Sequence, residues 1–276
     1  MKKFVLLTSL LLLPLSGFAE QRIISAGASV TELIYALGAE KKLVAVDSTS
    51  RNFTKGSQIP QVGYHRSLST EGLLSLNPTL LLGSNEMGPE TTLAKLESAN
   101  VNVVVVPPGD EIANLYSRID TVAKLTDTRE KAEQIKQQVA DSVEQLQNAS
   151  LKEKPSVLFL LINEARPLSV GGDKTPVNKI ISLSGASNPA ADEVESYKPI
   201  SLEAIIAMEP DYILVSEYAW KKHGGAEGVL KLYPLLKLTP AGEKKQILAI
   251  PGGALSGGFG LQSIKLAKTL HDKFSG

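Results

Sequence analysis

The chain has 276 residues, 43% of them apolar, with 29 basic against 29 acidic side chains and no cysteine. Balanced charge offers no basic stripe for nucleic acid. The absence of cysteine excludes disulfides, thiolate metal sites and a cysteine nucleophile together. Length and apolar content suit two domains, each with a core of its own.

Lys2 and Lys3 open the chain, and an apolar run from Phe4 to Leu15 follows, broken by Pro14 before Ser16, Gly17 and Ala19. A basic start, a short apolar core and a small-residue exit read as a secretory signal peptide over residues 1–19, cleaved after Ala19. The run is too short to span a bilayer, which takes roughly 20 residues, and no later segment is more apolar. Loss of the leader removes two lysines and leaves a small acidic excess. Without a lipid-bearing cysteine or a membrane span, an exported chain is retained only behind an outer barrier, so the expected compartment is the periplasm.

The segment after the leader alternates short apolar strands, at Ile23–Ile24, Leu43–Val46, Leu80–Leu82 and Val101–Val106, with helical stretches near 30–37, 70–76 and 90–98. Ser29 with Glu32 has the spacing of a capping box, and Gly38 stands where a C-terminal cap belongs. From Thr126 to about Ser150 there is neither Gly nor Pro. Ala132, Ile135, Val139, Val143 and Leu146 recur there at helical spacing, predicting one helix of roughly 22 residues, about 33 Å long. Alternation then resumes: strand 156–162, helices near 177–184 and 201–207, strands 212–215 and 247–250, and a last helix from about 261. The expected fold is α/β, with two Rossmann-like lobes of parallel sheet joined by one long helix and a ligand cleft between them. The lobes are read as 20–125 and 153–276, around a linking helix at 126–152.

The lobes echo each other. LSTEGLLSLNPTLLL (68–82) and ISLEAIIAMEPDYIL (200–214) share a serine, a glutamate two residues on, an apolar helical turn, a proline and a strand. Glu71 precedes Pro78 by seven residues, as Glu203 precedes Pro210. Gly38–Ala39 and Gly185–Ala186 repeat a helix exit.

Across 22–273 the sequence resembles the periplasmic substrate-binding proteins whose lobes are tied by one rigid helix, the group serving cobalamin, ferric siderophores and haem. RIISAGASVTELIYALGA (22–39), LVAVDSTS (43–50) and YKPISLEAI (197–205) carry the wider likeness. QVGYHRSLSTEGLLSLNP (61–78) carries the likeness to its haem-binding branch. That resemblance implies ferric haem b as the transported ligand and Tyr64 as the iron-binding residue. Ferric iron is a hard cation suited to a phenolate oxygen. In an extended segment Arg66 would share a face with Tyr64 and support that phenolate, and His65 would point away. It further implies an inner-membrane ABC permease and its ATPase as partners, docked through Glu71 and Glu203, with the binding protein itself a monomer.

Other cleft candidates follow from the same likeness. Met87 in the loop 83–90 is expected to pack on the porphyrin, and Gly171 and Gly172 to permit close backbone approach. Tyr197 falls near the place of Tyr64 in the other repeat. Some relatives set a second-lobe arginine against the tyrosine, but no arginine follows Arg166 here. Tyr218, Lys221, Lys222 or His223 would have to stand in. His271 is expected on the surface of the last helix. PGGALSGGFG (251–260) lacks both the GxGxxG and the GxxxxGK[ST] spacing, so no phosphate cradle is predicted. Two rivals stand beside haem capture: a cobalamin or ferric-siderophore carrier of the same architecture, and a periplasmic α/β enzyme. The enzyme is disfavoured because GxSxG and HExxH are missing and the three histidines are scattered.

Overall fold

The computed structural model describes residues 21–276, so the leader read over 1–19 lies outside the described residues. The first lobe runs β1 (Ile23–Ala26), α1 (Ala28–Ala36), β2 (Leu43–Val46), α2 (Thr70–Leu74), β3 (Leu80–Gly83), α3 (Glu90–Ser98), β4 (Asn102–Val105) and α4 (Ile112–Thr126). Its strands pair in the order β2-β1-β3-β4, all parallel. β1 and β3 are buried along their whole length. Helices cover both sheet faces, which is why these strands read as unbroken apolar runs rather than alternating ones.

α5 (Arg129–Asn148) leads to the second lobe. There follow β5 (Val157–Leu161), β6 (Ser169–Gly171), α6 (Pro176–Leu183), β7 (Tyr197–Pro199), α7 (Leu202–Ala207), β8 (Tyr212–Ser216), α8 (Glu217–His223), α9 (Gly225–Leu232), α10 (Pro240–Glu243), β9 (Ile247–Ile250) and α11 (Leu261–Ser275). The sheet order is β7-β6-β5-β8-β9. β5, β8 and β9 are parallel, whereas β6 runs antiparallel to β5 and to β7. Parallel pairing therefore holds through β5, β8 and β9 and gives way to antiparallel pairing at the β6–β7 edge. The link 162–168 is shorter than the dozen or so residues a parallel crossover needs, so the chain turns back as a hairpin.

Two local expectations are corrected. The linking helix does not start at Thr126. That residue ends α4, Asp127 takes a left-handed φ of 57°, and α5 begins at Arg129. Leu115, Ile119 and Val122 give α4 its buried stripe, at a spacing the sequence reading passed over. Nor do Ser29 and Glu32 form a capping box: Gly27 is the N-cap of α1, and the Ser29 hydroxyl is buried without a hydrogen-bond partner. Gly38 does end that helix, with φ +72° and the Ala39 N–H returning 2.9 Å to Ile34 O. Gly185 repeats it, with φ +86° and the Ala186 N–H 3.2 Å from Ile181 O. The helix α2 and α7 echo is also geometric, since Ser69 and Ser201 both cap and Asn77 and Glu209 both take positive φ before their prolines.

One apolar cluster continues through both lobes. It runs from Leu33 and Ile34 of α1 through Ile119 of α4 and Val139 of α5 to Val157, Ile180 and Ala267 of the second lobe. Along this seam two charges cross. Arg118, 1% exposed, donates to Pro107 O, Gly109 O and, in the other lobe, Phe259 O. Glu32 faces the backbone N–H groups of Leu261 and Gln262 at the start of α11, where a helix terminus favours an anion. Burial nevertheless dominates and pushes the Glu32 carboxyl from its ordinary 4.5 to about 7, against those hydrogen bonds.

Between those two values the folded chain keeps a proton that the unfolded chain has lost, so stability falls as pH rises through this window. Above it the full penalty of a buried carboxylate stands. Glu32→Gln should melt higher than the parent at pH 8, with the gap closing toward pH 4.5 in a thermal-denaturation series. An equal gap at every pH would contradict the assignment.

Candidate functional site in the interlobe cleft

The carboxyl ends of both sheets open on the cleft. β1 stands between β2 and β3, and β5 between β6 and β8, so connections diverge to either side there. Crevices of this kind are where open α/β sheets bind ligands. A cavity of about 410 Å³ occupies it. Thr49, Tyr64, His65, Arg66, Ser84 and Glu86 form its first-lobe wall, and Phe159, Leu161, Tyr197, Ser216 and Leu255 the second. A larger compartment of about 980 Å³ adjoins it through Ala28, Thr49, Gly252 and Ser256. Arg51 and Lys265 line that space, and neither is in an ion pair among the described residues.

The first-lobe wall is built on Asp47, which follows β2 and is fully buried. Its carboxylate accepts from Gly27 N–H (3.1 Å), Thr49 N–H (3.1 Å), Thr49 Oγ1 (2.6 Å), Ser50 Oγ (2.5 Å) and His65 Nδ1 (2.9 Å). Burial pushes its pKa up, but the bonds from His65, Ser50 and Thr49 together bring it below the ordinary carboxylate value. The Ser48 N–H to Gly63 O bond (2.7 Å) clamps the Tyr64 loop beside this turn.

Tyr64 is 46% exposed, and its hydroxyl makes no hydrogen bond among the described residues. Residues 65–67 form a 3-10 turn closed by Ser67 N–H on Tyr64 O (2.8 Å). The segment is therefore not extended past Tyr64, and the expected alternation fails. His65 turns inward, and its ring lies 4.5 Å from that of Tyr64. Arg66 pairs with Glu86 instead of the phenol.

The periplasmic binding protein family matches residues 23–254. The chain belongs to that family. Among solved structures this binding protein is similar to the periplasmic haem-binding protein HutB of Vibrio cholerae: 45% identity, 94% of this chain and 100% of that one, TM-score 0.88. It is also similar to the haem-binding protein BhuT in complex with two haems, at 30% identity over 92% and 98% of the chains, with a TM-score of 0.82. The vitamin B12-binding protein of Yersinia pestis (strain Pestoides F) is 30% identical over 212 residues, 77% of this chain and 74% of its own.

The remaining sequence candidates divide. Tyr197 reaches the cavity opposite Tyr64, edge-on to Phe159. Burial, with the charge of Asp110 adding to it, holds its phenol well above the ordinary tyrosine pKa, so it stays a neutral hydroxyl. Met87 does not face the ligand space. It is 7% exposed and packs in a first-lobe cluster with Ile24, Ala26 and Leu68, closed over Gly83. Gly171 and Gly172 also leave the cleft, because close neighbours within the second lobe require them. A Cβ on Gly171 would sit 2.5 Å from Val177 Cγ1, and one on Gly172 would strike the Val194 carbonyl.

Tyr218, Lys221 and His223 ride α8, whose start, Ser216 and Glu217, borders the cleft. Tyr218 is 72% exposed, Lys221 pairs with Glu217, and Lys222 with Glu164. None of them lines the Tyr64 cavity. His271 is half-buried, its Nδ1 3.1 Å from Ser184 O. The sequence reading missed Asp47, His65 and Glu86 as structural members of the site. DSTS (47–50) held a legible signal for the first, an acid followed by hydroxyls that turn back on it.

Gly172→Ala separates packing from ligand approach, since its added Cβ meets only Val194. Overpacking against Val194 should cost about 1–3 kcal/mol of stability, while haemin affinity of the folded variant stays at the parental value. A weakened affinity without loss of stability would restore the glycine to the cleft.

Proposed function

We propose that the protein captures ferric haem b in this cleft through Tyr64 and delivers it from the periplasm to an inner-membrane ABC permease and its ATPase. The observation that carries the reading is Tyr64 itself, a half-exposed phenol with no hydrogen-bond partner among the described residues, at the carboxyl edge of a switch point. The 45% identity to a haem-binding protein over nearly the whole chain supports it. Phe159, Leu161 and Leu255 offer an apolar face to the macrocycle, and Tyr197 a neutral hydroxyl opposite the iron ligand. Arg51 and Lys265 in the adjoining compartment supply cations for the propionates. The role asks no covalent step of any residue, and it needs only one copy of the chain.

A haemin titration tests it. The parent should shift the Soret band and show tyrosinate-to-iron charge-transfer bands, while Tyr64→Phe loses those bands and binds about tenfold or more weakly. Identical bands and affinity in the variant would defeat the assignment. Similarity to vitamin B12-binding proteins supports a second reading, a cobalamin carrier. Saturable heat on titrating cyanocobalamin, with none for haemin, would favour that carrier.

Delivery is assigned to Glu71 and Glu203. Both are exposed in the first turn of a serine-capped helix, one in each lobe, with matching backbone around them. Glu71→Arg with Glu203→Arg should leave haemin affinity unchanged and abolish uptake by permease-containing proteoliposomes. Unimpaired uptake would remove the docking role.

A further inference from the structure

What orients Tyr64 is a question the cleft wall answers. The phenol has no hydrogen bond among the described residues, and the loop bearing it is exposed on the cleft side. An unsupported tyrosine there would sample several rotamers and lose that freedom only on binding. The aromatic ring recorded against it is that of His65, with centroids 4.5 Å apart and planes at 57°. His65 itself is 6% exposed. Its Nδ1 lies 2.9 Å from Asp47 Oδ2, so the imidazole is tied to the fully buried carboxylate that also organises the β1 and β2 ends.

The backbone around the imidazole is fixed as well. His65 O accepts from Gly88 N–H at 2.9 Å, and Leu68 N–H donates to Gly88 O at 2.8 Å, stapling the turn to the loop after β3. On the far side of the ring, Nε2 is buried without a hydrogen-bond partner, 3.5 Å from Glu86 Oε2. Glu86 is in turn held by Arg66. The imidazole is thus anchored through Asp47 and the stapled turn, while the tyrosine it touches is half-exposed.

We propose that His65, locked by Asp47, is a positioning residue for Tyr64: its ring fixes the plane of the phenol and aims the oxygen into the cleft before any ligand arrives. This rests on the reading of Tyr64 as the iron ligand. The physical gain is preorganisation, since a ligating oxygen must be held within about 0.5 Å of its productive place. Removing a group that orients a metal ligand from behind typically costs about 10- to 100-fold in affinity.

The test compares the full mature protein with His65→Ala, His65→Asn and Tyr64→Phe, each confirmed as folded by circular dichroism and thermal melting. Haemin affinity is read by titration, and resonance Raman reads the tyrosinate modes of the bound complex. His65→Ala should bind haemin about 10- to 100-fold more weakly, with broadened tyrosinate modes that report a phenolate no longer held in one pose. Should His65→Ala not fold, His65→Asn keeps a donor toward Asp47 while removing the ring, and the same two readouts apply. A folded histidine variant with parental affinity and parental Raman modes overturns the proposal, provided Tyr64→Phe has lost those modes. If Tyr64→Phe keeps them, the iron-ligand reading fails and takes the positioning role with it.

Discussion

The buried carboxylate of Asp47 organises the cleft. A charge withdrawn from water is tolerated only when its lone pairs are satisfied, and five donors from the loops after β1 and β2 and from the Tyr64 segment satisfy it. The requirement runs both ways. To solvate one anion, three separate stretches of chain must converge, and their convergence is the first-lobe wall. A chain of hydroxyls, Ser25 to Thr31 to Ser50, extends the same network into α1 at 2.7 Å per step. The ligand-facing surface therefore inherits its rigidity from the interior rather than from its own contacts.

The seam between the lobes works by related physics with a different outcome. Arg118 crosses it fully hydrogen-bonded to carbonyls, except for Nε, and ties the glycine-rich loop 251–260 to the first lobe. Gly257 and Gly258 take positive φ there, and side chains at either would collide with Ser29 or with Gly109 O. Those glycines serve the close approach of two lobes, not an anion. With α5 and a continuous apolar cluster beneath it, the seam favours a cleft of nearly fixed width over hinge closure. Preformed walls suit a flat, rigid ligand, whose binding then orders little of the protein.

Similar local sequences in the two lobes did not produce equivalent cleft walls. The echo is faithful where it governs backbone: serine caps, positive-φ residues before proline, and Gly–Ala helix exits. It lapses where the second sheet turns back through β6 and β7, which brings Tyr197 to the cavity from an edge strand rather than from a loop. One tyrosine is thereby half open and the other held neutral by burial. Two phenols in one cavity differ in exposure through their surroundings alone.

Periodicity and punctuation in the chain were enough to establish alternating strands and helices, two lobes, the long helix through Ile135 and Val139, and the glycine exits at Gly38 and Gly185. These are short-range properties, set by which face is apolar and which residue tolerates positive φ. The segment around Tyr64 also pointed to a tyrosine that lines the interlobe cavity. Only the folded structure decided what surrounds it. The turn at 65–67 buried His65 against Tyr64 and left Arg66 to Glu86, Met87 went to the core, and Tyr218, Lys221 and His223 on α8 do not line the cavity. Those outcomes depend on hydrogen bonds and packing between residues distant in sequence, such as Asp47 with His65 and Arg66 with Glu86. Such pairings leave no period in the sequence, because the partner that satisfies a buried group is chosen by where the backbone brings it.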